Sequence, residues 1–83
     1  KGPLEAFPLE NLKMVGTLQQ KKDVFALIKT PDNNLYRVKS GDFIGQNFGR
    51  ITDINESALK LKELIQDSGN EWKEEERTLL LQE

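Results

Sequence analysis

The chain has no histidine and no cysteine among its 83 residues. That removes the commonest general base, the thiolate nucleophile and the usual zinc ligands. What remains for chemistry is hydroxyls and scattered carboxylates. Ser40, Ser57 and Ser68 all stand in turn contexts, with no partner in sight to activate them. Asp42, Asp53 and Glu56 offer an acid–base pair or a calcium set, but a calcium loop alternates its oxygen ligands more densely than this. They read as solvated loop carboxylates. Gly41-x-x-x-Gly45 lacks the Gly-Lys-Ser/Thr ending of a phosphate loop, and the Gly-x-Gly-x-x-Gly order is absent. Gly45-x-x-x-Gly49 has the spacing of a membrane-helix dimer, yet it sits among Gln46, Asn47 and Arg50. Asn55-Glu56-Ser57 fits a glycosylation sequon, a pattern short enough to arise by chance. These residue types predict a protein that is not an enzyme and uses no cofactor or metal.

The glycines are more informative as structure. Gly41, Gly45 and Gly49 recur every fourth residue with Phe43, Ile44 and Phe48 between them. A flexible linker carries no such large apolar side chains. The stretch predicts a tightly wound connection whose glycines supply positive φ or close backbone approach. Its aromatic residues are expected to plug the core. An alternative groups Tyr36, Phe43, Phe48 and Trp72 as a stacking platform, which would make a small oligonucleotide- or glycan-binding barrel relying on Tyr36 and Trp72.

The bulk numbers fit one small soluble domain, 36% hydrophobic and 31% charged. A chain of this size buries only about two-thirds of its unfolded surface. No apolar run approaches the ~20 residues of a membrane span. The chain begins at Lys1 rather than Met, and reads as one domain of a longer protein. Its net charge of −2 hides an asymmetry. Between Asn11 and Arg50 there are seven basic and three acidic residues, and between Glu63 and Glu83 two basic and seven acidic. Such a dipolar domain steers a charged protein partner. It lacks the strongly basic face that nucleic acid calls for.

Turn chemistry every ten residues or so predicts an all-β fold, a sandwich or partly open barrel of about seven short, mainly antiparallel strands. Residues 1–10 are expected to be an ordered lead-in, with Pro8 opening a short helical turn, and 11–83 a single sandwich domain. The predicted strands are Leu12–Gln19, Val24–Thr30, Leu35–Lys39, the Phe43-Ile44 patch, Arg50–Ile54 and Ala58–Gln66. Two further pieces, Glu71–Lys73 and Arg77–Gln82, flank a solvated Glu74-Glu75-Glu76 connection. Val24-Phe-Ala-Leu-Ile28 is apolar on both faces and belongs at the centre of a sheet. Residues 57–65 also allow an amphipathic helix, against which the Asp67-Ser68-Gly69-Asn70 turn and the strand-like neighbours argue. The first strand is the expected edge, with Lys13, Thr17 and Gln19 outward and Val15 ambiguous because Val15-Gly16 suggests a bulge.

Three blocks resemble the periplasmic β domain of the PilP family, inner-membrane lipoproteins of type IV pilus assembly. They are Leu9-Glu-Asn-Leu-Lys-Met-Val-Gly-Thr-Leu18, Val38-Lys-Ser-Gly-Asp-Phe-Ile-Gly-Gln-Asn-Phe-Gly-Arg-Ile51 and Leu61-Lys-Glu-Leu-Ile-Gln-Asp-Ser-Gly-Asn-Glu-Trp72, the last followed by Leu79-Leu-Leu81. The resemblance implies a β-sandwich similar to the homology-region domain of the type II secretion C protein. It further implies a periplasmic bridge between the PilN–PilO inner-membrane pair and the PilQ secretin. In this family an upstream segment binds PilN–PilO and an upstream lipid anchors the protein to the inner membrane. The isolated domain is expected to be a monomer that meets the secretin through Lys13, Val15, Thr17, Gln19, Arg37, Lys39 and Arg50, with Gly41, Gly45 and Gly49 structural.

Overall fold

Polar turn clusters divide the chain, and in the computed structural model, which describes residues 2–82, they separate seven strands. These are β1 (Lys13–Gln20), β2 (Asp23–Lys29), β3 (Leu35–Val38), β4 (Phe43–Ile44), β5 (Gly49–Ile54), β6 (Ala58–Gln66) and β7 (Trp72–Leu80). They form two antiparallel sheets, β1-β2-β3 and β4-β5-β6-β7. One parallel bridge, Met14 to Leu81, ties the first strand to the end of the chain, and the Gln82 N–H donates to the Met14 carbonyl at 2.8 Å. The sandwich is open, not a closed barrel.

The core is filled from strand positions of period two. Met14, Ala26, Ile28 and Val38 come from the first sheet, and Ile44, Ile51, Leu59 and Leu61 from the second. The segment that also allowed a helix is strand from Ala58 onward, with Leu59 and Leu61 buried while Lys60 and Lys62 face water. Val24–Ile28 lies in the central strand of its sheet, but it is covered on one face only: Ala26 and Ile28 are buried, whereas Phe25 and Leu27 face outward because no second sheet packs on that side.

Ahead of β1 run two short 3₁₀ turns, Pro3–Ala6 and Leu9–Asn11. The second follows Pro8; the first is an addition, opened by Pro3 and held by the Glu5 carboxylate, which accepts from the Gly2 N–H at 2.8 Å. Leu4 joins the core, and its carbonyl accepts from Gly45 N–H at 2.9 Å.

Two expectations fail here. Phe43 and Phe48 do not plug the core; both are roughly half exposed, and Ile44 and Ile51 occupy the interior. The pleat decides this: Ile44 points inward, so its neighbour Phe43 must point out. Nor do the three glutamates form a connection. Glu74, Glu75 and Glu76 lie inside β7, each paired with β6 opposite Leu64, Glu63 and Lys62. An edge strand exposed on both faces tolerates charge at every position.

The β6–β7 hairpin turns on Asp67. Its Oδ1 accepts from the N–H groups of Gly69 (2.9 Å) and Glu71 (3.0 Å), and Lys73 Nζ lies 3.4 Å from Oδ2. The Glu71 amide is the main reason that the Asp67 carboxyl titrates below the ordinary aspartate range, with partial burial opposing and Gly69 and Lys73 assisting. A folded-state pKa below the unfolded one favours the native state above the usual carboxylate range, and that contribution disappears as pH falls through the depressed value. Denaturant unfolding followed from about pH 5 downward should therefore show an acid-side loss that Asp67→Asn reduces. An identical acid-side profile in the variant would contradict this.

Candidate docking surfaces

Among the described residues no three His, Cys, Asp or Glu side chains gather as a metal site, and no helix is long and apolar enough to cross a membrane. The serines are engaged as turn formers or exposed. Asn55 Oδ1, for example, accepts from Ser57 N–H (2.9 Å), Ser57 Oγ (3.1 Å) and Ala58 N–H (3.0 Å). What the fold does present is two outward sheet faces.

The outer face of β1-β2-β3 follows from register. Lys13 lies opposite Lys29, Leu18 opposite Phe25 and Gln20 opposite Asp23; Leu27 lies opposite Arg37 and Lys29 opposite Leu35. Directly opposed residues share a face, so Leu18, Phe25, Leu27 and Leu35 make an apolar strip flanked by Lys13, Lys29 and Arg37. Leu35 is 61% exposed. The Arg37 guanidinium stacks over the Phe25 ring at 5.0 Å and donates to Gln20 Oε1 at 3.0 Å, which fixes it across the face.

The bulge falls at Val15, where the register slips between Met14 and Gly16. This corrects the outward set on β1. After the extra residue the phase inverts, so Thr17 opposes Ala26 and Gln19 opposes Val24, on the same face as Met14 and Ile28. Lys13 and Val15 are exposed, and the outward positions beyond the bulge are Leu18 and Gln20. Lys39 follows β3, where its N–H donates to Asp42 Oδ2 at 3.0 Å. Arg50 lies apart from the others, on the outer face of the second sheet opposite Phe43 and Lys62. Lys13 and Arg37 thus share one surface, while Thr17, Gln19 and Arg50 do not.

The four aromatic residues also separate. Tyr36 opposes Ile28 and packs against the core, whereas Phe43, Phe48 and Trp72 lie exposed on the second sheet. Tyr36 and Trp72 therefore form no common platform.

Of the three glycines, Gly41 and Gly45 have φ of 97° and 77°. Gly49 does not; a Cβ there would sit 2.5 Å from the Ile44 carbonyl oxygen. Sequence reasoning passed over Glu63, which is 3% exposed and accepts from Arg77 Nε at 3.0 Å. Its inward phase on β6, two residues after Leu61, was the available signal.

The family model described as "Pilus assembly protein, PilP" matches residues 1–81. The chain belongs to the PilP family. It is 38% identical over 80 residues to the type IV pilus inner membrane component PilP of Pseudomonas aeruginosa, covering 96% of this chain and 45% of that relative. This PilP-family chain thus spans a little under half the length of the curated relative it matches. A solved domain of the pilus biogenesis lipoprotein PilP from P. aeruginosa superposes with a TM-score of 0.86 at 37% identity, covering 98% of this chain and 92% of that one. A domain of the Neisseria meningitidis PilP pilot protein gives 0.80 at 40% identity, covering 98% and 71%. The all-β architecture is that of PilP domains, and the PilP family is a structural component of pilus assembly, with its named relatives an inner-membrane component and a lipoprotein.

Proposed function

We propose that this PilP-family domain is a non-enzymatic periplasmic adaptor that links the PilN–PilO inner-membrane pair to the N-terminal domains of the PilQ secretin. In this reading the domain carries the secretin contact, and a segment upstream of it carries both the PilN–PilO contact and the lipid anchor. The observation that supports it best is the outer face of β1-β2-β3, where Leu18, Phe25 and Leu35 are accessible and Lys13, Lys29 and Arg37 flank them. An apolar centre with a basic rim suits a protein partner that offers an apolar patch ringed by carboxylates. The adjoining β1 edge adds backbone groups: among the described residues its outer side is paired only at Met14, which leaves the stretch past the Val15 bulge available to a partner strand.

Reversing charge with Lys13→Glu and Arg37→Glu together is expected to weaken association with the isolated secretin N-terminal domain about tenfold at low salt. The effect should shrink as salt rises. Isothermal titration at two ionic strengths reads it, with nitrogen–proton NMR shifts locating the contact. Equal affinity of variant and parent at low salt removes this face from the proposal.

A further inference from the structure

The second sheet presents a different surface, which the adaptor reading leaves unused. Residues 45–48 form the loop between β4 and β5, and its last residue, Phe48, has a φ of 56°. The left-handed region suits Gly or Asn; a bulky side chain there is strained. The fold recovers little from the ring, which is 51% exposed and meets Trp72 edge-on at 6.2 Å, itself 58% exposed. Strain of this kind gathers where a side chain must be held for contact.

Phe48, Phe43 and Leu64 wall an open cavity of about 300 Å³ whose margin carries Arg50, Lys62 and Glu74. Phe43, Arg50 and Lys62 are successive cross-strand neighbours, which sets the cations directly beside the aromatic wall. Neither cation makes an ion pair among the described residues; the pairs found there are Lys73 with Asp67, and Arg77 with Glu63 and Glu75. Arg50 has no acidic cross-strand neighbour, and Lys62 faces Glu76 across the β6–β7 ladder without pairing with it; beside an apolar hollow the two cations complement a carboxylate next to an apolar side chain. Glu74 on the margin disfavours a continuous polyanion such as nucleic acid. The Phe48 and Trp72 rings stand 76° apart and offer no flat platform for successive bases or sugars.

We infer that the outer face of the β4–β7 sheet docks a protein segment that places an apolar anchor between Phe43, Phe48 and Leu64 and a neighbouring carboxylate against Arg50 and Lys62. The probe is an acetylated, amidated tetrapeptide of sequence ELFE, compared with its charge-reversed counterpart KLFK, on the uniformly nitrogen-labelled domain. ELFE is expected to shift the amides of Phe48, Arg50 and Lys62 and to change Trp72 emission, with KLFK about fivefold weaker. Arg50→Glu with Lys62→Glu should invert that preference. Phe48→Asn should weaken ELFE binding without lowering the melting temperature, because it removes the anchor wall and relieves the backbone together. Equal response to both peptides, no response to ELFE at millimolar concentration, shifts confined to the β1-β2-β3 face, or a lower melting temperature in Phe48→Asn would each overturn the assignment.

Discussion

Gly49→Val should cost about 3 kcal/mol or more and lower the melting temperature by about 15 °C. The cause is space rather than backbone dihedral. A Cβ on Gly49 would stand 2.5 Å from the Ile44 carbonyl oxygen and 2.7 Å from Leu61 Cδ1. Neither can retreat easily, since Ile44 is paired with Gly49 in the β4–β5 ladder and Leu61 lies fully buried at the centre of the core. Gly41→Ala is the matched control. Its φ of 97° makes an L side chain strained, but nothing lies within 4 Å, so the loss should be about 1 kcal/mol. Gly45→Ala adds ordinary contact with Leu9 Cβ at 3.5 Å to a φ of 77° and should resemble Gly41→Ala. Urea and thermal unfolding of the three variants rank them directly, and a Gly49 variant as stable as Gly41→Ala would refute the packing argument.

The second large effect lies at the charged pair in β6 and β7. Arg77→Ala is expected to destabilise by about 2 kcal/mol, because it strands the buried Glu63 carboxylate without its guanidinium. Glu63→Leu should change stability by no more than about 1 kcal/mol, since it replaces a buried charge with hydrocarbon. Arg77 is then not stranded: its side chain is 48% exposed and keeps Glu75 Oε1 at 3.0 Å. The double variant should therefore behave like Glu63→Leu alone, a non-additivity that a double-mutant cycle resolves. If Glu63→Leu proves the more damaging substitution, the pair contributes more than its desolvation costs.

The fold was readable where polar clusters interrupt apolar alternation. Pro31-Asp32-Asn33-Asn34 turns the chain with Asn33 at φ 65°, and Asp67-Ser68-Gly69-Asn70 does the same with Asn70 at φ 65°. Both residues tolerate that region, which is why the turns could be placed from composition. The failures share a different cause. Whether Phe43 is core or surface depends on the parity of one pleat, and parity is set by which neighbour a distant strand covers. One inserted residue at Val15 reversed it for Thr17 and Gln19. Glu74–Glu76 gave no strand signal because β7 has no partner beyond it along most of its length, and a wet edge needs no alternation. The same rule obscures the residues proposed for docking: Leu18, Leu35 and Phe48 look like core in a list of residue types and become surface only once the two sheets are stacked.

The glycine segment contains both the spatial requirement at Gly49 and the exposed ring at Phe48, its immediate neighbour. They are coupled through one loop: the chain must cross tightly over Ile44 to begin β5, and that crossing throws the preceding side chain outward.

The two sheet faces lie on opposite sides of a filled interior, and the molecule measures at least 24 Å in every direction. Partners seated on the two faces would have this interior between them. Met14, Ile28, Ile44, Ile51, Leu59 and Leu61 are fully buried between them, so the separation is set by packed hydrocarbon with little capacity to compress. If both faces are occupied, as the two proposals above require, the domain would act as a rigid shim that holds its partners at a fixed separation.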